Sequence, residues 1–259
     1  MYRTQFSLST VFKSIALVAV VIVSIAFTIP PKHITVYLIG DSTISIKEKK
    51  YYPETGWGMP FANYFDTTVT VDNRAKNGRS TSTFIAEGLW KPVAEGIKPG
   101  DYLFIQFGHN DEVPTKKSYT TEAEFKKNLI RYVTEAQAKQ SIPVLITPVA
   151  RRKFDSVGHI VSTHAVYAQL VRDVARDNKV PLIDLDAQSQ QLLQKLGVEP
   201  SKLLFNHLEP NQNPNYPGGK QDDTHFSELG ARRMAELVLK SISDLKLKLA
   251  NRIVKPKSW

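Results

Sequence analysis

Residues 34–43, ITVYLIGDST, set an unbroken apolar, β-branched run directly against a turn of small polar residues. Four more runs repeat the pattern: TTVTVD at 67–72, YLFIQFG at 102–108, IPVLITPVA at 142–150 and VPLIDL at 180–185. A half-exposed strand alternates apolar and polar residues, whereas near-continuous runs belong to strands covered on both faces. Helical patterns lie between and after the runs. Phe125, Leu129, Val133 and Ala136 recur at 3–4 spacing within 121–139, opened by a Thr121/Glu124 capping-box pattern. Val166, Leu170, Val171 and Val174 give a second inward face within 162–178. A terminal helix is predicted from Ser227 to about Leu249, with Leu229, Met234, Leu237, Val238, Ile242 and Leu245 on its apolar side. Strands alternating with helices make an α/β fold, a three-layer α/β/α sandwich around a mainly parallel sheet. Residues 206–224, NHLEPNQNPNYPGGKQDDT, are polar, aperiodic and rich in Pro and Gly, and read as a long loop.

Composition narrows the chemistry. The chain has 259 residues, 42% of them hydrophobic, and no Cys. That is enough to bury one large core, and it excludes a disulfide scaffold, a thiolate nucleophile and a cysteine-ligated zinc site. The apolar run SIALVAVVIVSIAFTI at 14–29 follows Arg3 and Lys13 and stops at Pro30-Pro31. Residues 1–32 therefore read as a signal peptide or an N-terminal membrane anchor, ahead of a single domain over 33–259 that is exported to the periplasm or the extracellular space. Taking away Arg3, Lys13 and Lys32, with no acid, lowers the formal charge from +9 to +6. These charges form no basic helix or aromatic-interleaved strip, so nucleic acid is not an expected partner. Membrane contact is expected only through a retained anchor. The six His residues form no compact ligand motif, and neither G-x-G-x-x-G nor a P-loop is present, so no metal or other cofactor is expected.

In a doubly wound sheet the ligand lies beyond the carboxyl ends of the strands. Gly40-Asp41-Ser42-Thr43 follows the first run, Gly108-His109-Asn110-Asp111 the third, and Asp222-Asp223-Thr224-His225 precedes the last helix. With N-G-R-S at 77–80, these blocks resemble the SGNH, or GDSL, hydrolase superfamily over about residues 34–247. G-D-S-T, N-G-R-S-T, Q-F-G-H-N-D and T-P-V-A-R-R resemble its rhamnogalacturonan acetylesterase group more narrowly. The resemblance implies a flavodoxin-like SGNH architecture and a serine esterase that removes O-acetyl groups from a pectic polysaccharide. The expected partner is then an acetylated, anionic polysaccharide or oligosaccharide, met by a monomer. The enzymatic alternatives are esterases of other acetylated glycans such as xylan or peptidoglycan, and an acyl-ester lipase or thioesterase. A noncatalytic carbohydrate-binding protein is the alternative of a different class.

Ser42 is the expected nucleophile and His225 its base, because a serine hydroxyl is weak until a base takes its proton. Asp222, three positions before His225, can orient the imidazole from a short turn. Asp223 is chemically equivalent on sequence grounds, and the resemblance assigns the role to Asp222. It also implies an oxyanion hole from the backbone N–H groups of Ser42 and Gly78 and the side-chain amide of Asn110. Each residue has a plainer reading: Ser42 as a helix cap, Asn110 as a turn residue, Gly78 as a positive-φ position. Asp41 and Asp111 are expected to stabilise loops. Candidate substrate contacts are His109, Arg151 and Arg152, the arginines facing a galacturonate carboxylate, with Tyr51, Tyr52 and Trp57 as a sugar-stacking wall.

Overall fold

The structure, a computed structural model, describes residues 32–254. The apolar run at 14–29, on which the leader or anchor expectation rests, lies outside the described residues. Among the described residues no helix is long and apolar enough to cross a membrane. The described residues from Ile34 form one compact unit. At its centre stand five strands, β1 (Ile34–Gly40), β2 (Val69–Asn73), β3 (Tyr102–Gln106), β4 (Ile142–Ile146) and β5 (Leu182–Ile183), in the order β2-β1-β3-β4-β5. Every adjacent pair is parallel, as the apolar runs require. This is the flavodoxin-like order, whose switch point falls between β1 and β3. Gly40 pairs with Gln106 at that point, and a Cβ on residue 40 would stand 2.4 Å from the Gln106 carbonyl oxygen, so only glycine fits.

Seven helices flank this sheet among the described residues: α1 (Gly58–Phe61), α2 (Thr81–Ala86), α3 (Trp90–Gly96), α4 (Glu122–Ala138), α5 (Ala165–Asp177), α6 (Leu185–Leu196) and α7 (Glu228–Asp244). The two-residue period of the buried strands divides the core. Val36, Leu38, Phe104, Val144 and Ile146 pack on the side of Phe61, Leu193, Met234 and Val238, from α1, α6 and α7. Ile39, Leu103, Ile105 and Leu145 point the other way, toward Phe84, Trp90, Leu129, Val133 and Val171 of α2 to α5. Full burial of each such side chain contributes about 1.5–3 kcal/mol, and both faces of every central strand collect it. That removes the polar alternation from the sequence.

Thr121 caps α4 as expected, accepting the Glu124 backbone N–H at 3.3 Å. Other local expectations change. Val166, expected to face inward, is half exposed, and Leu229 and Leu245 are also exposed. The terminal helix stops at Asp244, because Lys246 takes a left-handed φ of 52° and a separate 3₁₀ turn covers Lys248–Arg252. Residues 206–224 are not one loop. They carry an antiparallel hairpin, β6 (Phe205–Leu208) with β7 (Lys220–Phe226), closed by a polar tip. Polar residues occupy these strands because β7 delivers Asp222 and His225 to the carboxyl edge of the main sheet.

Candidate active site

The first turn after β1 is held by its own acid. Asp41 is buried, and its Oδ1 accepts the Thr43 backbone N–H at 2.9 Å and the Thr43 hydroxyl at 2.8 Å. Thr43 Oγ1 accepts from Gln106 Nε2 at 2.6 Å, and Gln106 Oε1 accepts from the Trp57 indole at 2.8 Å. Trp57 is therefore fully buried behind the turn, with its ring edge-on to Phe61. It cannot be part of a sugar-stacking wall. An indole N–H inside a core needs an acceptor, and Gln106 supplies it.

This turn presents Ser42 Oγ 2.9 Å from His225 Nε2. His225 Nδ1 in turn lies 2.9 Å from Asp222 Oδ2. Asp222 Oδ1 accepts the backbone N–H groups of Thr224 at 2.8 Å and His225 at 2.9 Å, so one carboxylate fixes both the strand end and the ring. Burial opposes the Asp222 charge, but the His225 hydrogen bond and charge and the two backbone donors prevail and hold its carboxyl well below the usual carboxylate range. Asp223 points elsewhere, with Oδ1 2.8 Å from Arg152 Nη1 and 2.8 Å from His207 Nε2. The geometry thus separates two acids that the sequence left equivalent.

A network that sequence reading missed braces the same turn. Lys47 is fully buried at its side chain, and its Nζ meets Glu54 Oε1 at 2.7 Å and Asn77 Oδ1 at 2.9 Å while also donating to the Ser42 carbonyl. Burial pulls the Lys47 ammonium down, and Glu54 opposes that pull. Glu54 Oε1 stands 4.0 Å from His225 Nε2, and Lys220 Nζ lies 3.4 Å from Glu54 and 3.2 Å from Asp222. Glu54, Asp222 and His225 are near enough together to offer a cation three ligand atoms. Both carboxylates already face an ammonium, so the donor set is electrostatically satisfied by Lys47 and Lys220. A lone lysine four residues past G-D-S-T gives no sequence signal for this role.

The other two expected loops meet beside the turn. Gly78 has φ 77°, and nothing lies within 4 Å of where a Cβ would stand. Asn77 bonds Ser45 at 2.5 Å as well as Lys47, tying the Gly78 loop to the Ser42 turn. Asn110 is buried, donates to the Arg79 carbonyl at 3.1 Å and accepts from Lys116 Nζ at 3.2 Å. Asp111 caps α2 by accepting from Thr81 N at 2.8 Å and Thr81 Oγ1 at 2.6 Å, a loop-stabilising contact. Its burial pushes the carboxyl up to about 7.

The substrate contacts named from sequence fare unevenly. His109 is buried and packs against the His164 ring at 4.3 Å, and burial, then His164, pushes it well below the usual histidine range. His164 is itself 2.8 Å from Glu112. Arg151 donates to Thr224 Oγ1 at 2.7 Å and to the His109 carbonyl at 3.3 Å, bracing the strand end before His225. Arg152 is buried on Asp223, Ser201 and the Val198 carbonyl, so it cannot face a galacturonate carboxylate. The Tyr51 carbonyl accepts from Tyr216, and Tyr52 is exposed along a cavity of about 460 Å³ that also includes Thr55 and Asn213.

Known proteins resemble this chain over most of its length. The model of the GDSL-like lipase/acylhydrolase family matches residues 38–233. A rhamnogalacturonan acetylesterase of Bacillus subtilis (strain 168) is 43% identical over 224 residues, covering 86% of this chain and 95% of that protein. A rhamnogalacturonan acetylesterase of Emericella nidulans is 35% identical over 231 residues, covering 80% and 84%. The crystal structure of a second Bacillus subtilis protein superposes with a TM-score of 0.72 at 28% identity, covering 85% of this chain and 58% of that one.

Proposed function

The chain belongs to the GDSL-like lipase/acylhydrolase family and is a serine-dependent carboxylic ester hydrolase; from that premise we propose that it removes O-acetyl groups from rhamnogalacturonan. The observation that carries the reading is the hydrogen-bonded chain Ser42–His225–Asp222, with 2.9 Å at each step. Two relatives named for rhamnogalacturonan acetylesterase activity, each aligned over most of its length, supply the substrate class.

In the proposed reaction Ser42 Oγ attacks the acetyl carbonyl as His225 Nε2 takes its proton. Asp222 keeps the imidazole in the tautomer that leaves Nε2 free and stabilises the imidazolium once it forms. The negative charge on the carbonyl oxygen is met by the backbone N–H groups of Ser42 and Gly78 and the amide of Asn110. Neutral donors lower the barrier without offering a competing proton. His225 returns the proton to the departing sugar hydroxyl. Water, activated by the same imidazole, then cleaves the acetyl-serine and releases acetate. Export through residues 14–29 and action as a monomer complete the proposal, since a polymeric pectin is met outside the cell.

Acetate release from acetylated rhamnogalacturonan, acetylated xylan and acetylated peptidoglycan, by wild type and Ser42→Ala protein, tests it. Ser42-dependent release from the pectic polymer is the expected result. Selective release from another polymer keeps the esterase chemistry and overturns the pectic assignment. No Ser42-dependent release from any of them overturns the carbohydrate reading.

A further inference from the structure

The two expected side donors of the oxyanion, Gly78 and Asn110, line one cavity of about 390 Å³ together with Arg79, Glu87, Lys116 and Lys117. That volume lies within the roughly 300–1,000 Å³ of ordinary ligand clefts. Its charges are unequal. Arg79 donates to Glu87 Oε2 through Nε at 2.9 Å and Nη2 at 2.8 Å, so that pair cancels itself. Lys116 Nζ is bonded to a neutral group, Asn110 Oδ1, at 3.2 Å. Lys117 is exposed and has neither a hydrogen bond nor an ion pair among the described residues. Two uncompensated ammonium groups therefore border the space beside Gly78 and Asn110.

The arginines expected to read a sugar carboxylate already face acids of their own, Arg152 with Asp223 at 2.8 Å and Arg151 with Glu112 at 3.8 Å. Building on the esterase reading above, we propose that Lys116 and Lys117 form an anion-binding subsite that takes the carboxylate of a uronic acid residue in the acetylated glycan. An ammonium on a flexible stem suits this task, because it follows a carboxylate whose position varies along a polymer, where a rigid guanidinium fork demands one geometry. The contact is exposed, so its strength is modest and screened by salt. A neutral acetylated glycan gains nothing from it.

The test uses the full chain and two readouts. In the first, Ser42→Ala protein is titrated with an unacetylated oligogalacturonate and with the same oligosaccharide fully methyl-esterified. The free acid is expected to bind about 10-fold tighter at low ionic strength, with the preference shrinking toward unity at about 0.5 M salt. Lys117→Glu in the same background is expected to abolish the preference. Lys139→Glu, the same charge change at the C-cap of α4 and the opposite end of the sheet, is expected to keep it. No binding of the free acid, equal binding of both oligosaccharides, or a preference unchanged in Lys117→Glu overturns the subsite. In the second readout, acetate release is followed from acetylated forms of both oligosaccharides with Ser42 intact. Ser42-dependent release that ignores the carboxylate and Lys117 overturns the subsite and leaves the esterase reading standing. Binding that depends on the carboxylate and Lys117, without acetate release from these oligosaccharides or from acetylated rhamnogalacturonan, upholds the subsite and overturns that reading.

Discussion

Asp222 Oδ2 lies 2.9 Å from His225 Nδ1, whereas the carboxylate of Asp223 is spent on Arg152 and His207. Two adjacent acids on one strand point to opposite faces, so they are expected to fail differently. Asp222→Asn should lower kcat by about 10³–10⁴, because the amide offers a donor to Nδ1 and favours the wrong imidazole tautomer. Asp223→Asn should leave kcat within a few-fold and instead lower stability by about 1–3 kcal/mol through its buried partner Arg152. Steady-state kinetics and urea unfolding of the two variants separate the roles. Equal kcat losses would contradict the assignment.

The ion pair of Lys47 and Glu54 makes a stability prediction. Removing one member of a buried pair strands the other charge at a cost of about 3–5 kcal/mol, while removing both costs much less. Lys47→Met and Glu54→Gln should each destabilise strongly, and the double variant should recover part of the loss. Lys47→Met should also lower kcat more than it raises KM, since Lys47 Nζ holds the Ser42 carbonyl and the Asn77 side chain together. Strictly additive effects in a denaturation cycle would remove the pair from the account.

The main sheet and the blocks that carry the site were legible because both depend on local pattern. β1, β3 and β4 are continuous apolar runs, G-D-S-T holds its turn through the Asp41 bonds to Thr43, and D-x-x-H pairs Asp222 with His225 three residues on. What was not legible is set by long-range contact. The hairpin β6–β7 is built from FNHL and KQDDTHF, sequences of low strand propensity whose polar side chains serve the site. Helix α6, LDAQSQQLLQKL, is the exception, a local signal too polar to stand out by its apolar pattern: Asp184 caps it by accepting the Ala187 N–H, and Leu185, Ser189 and Leu193 fall at helical spacing. The burial of Trp57 and Arg152 follows from partners 49 and 71 residues away, Gln106 and Asp223. An aromatic or cationic side chain beside a predicted site therefore says little about which way it points.

Asn110 is expected to act on the transition state alone. Its amide already donates one hydrogen to the Arg79 carbonyl, which fixes its plane and leaves the second hydrogen for a substrate oxygen. Asn110→Ala should lower kcat by about 10²–10³ with little change in KM, the cost of deleting one oxyanion donor. The check is the split of kcat from KM on an acetyl ester, and a loss confined to KM would assign Asn110 to substrate binding instead.

Asp111 sets a pH dependence of stability opposite in sign to that of Asp222. Its folded carboxyl titrates at about 7 because burial outweighs the Thr81 hydrogen bonds, against an ordinary value of 3.8. Between those two values the folded protein holds a proton that the unfolded chain has lost. Stability from this group is therefore fully present below pH 3.8, falls as pH rises, and is gone above about 7. Asp222 has the opposite sign: its folded carboxyl is depressed, so its contribution is present above the ordinary carboxylate range and disappears on acidification. Asp111→Asn keeps the Oδ1 acceptor for the two Thr81 bonds but cannot ionise, so the Asp111 slope should vanish. The gain of the variant over wild type should grow by on the order of 2–4 kcal/mol from pH 4 to pH 7. Urea unfolding at both pH values measures it directly. Parallel pH profiles for the two proteins would mean that Asp111 titrates normally in the fold.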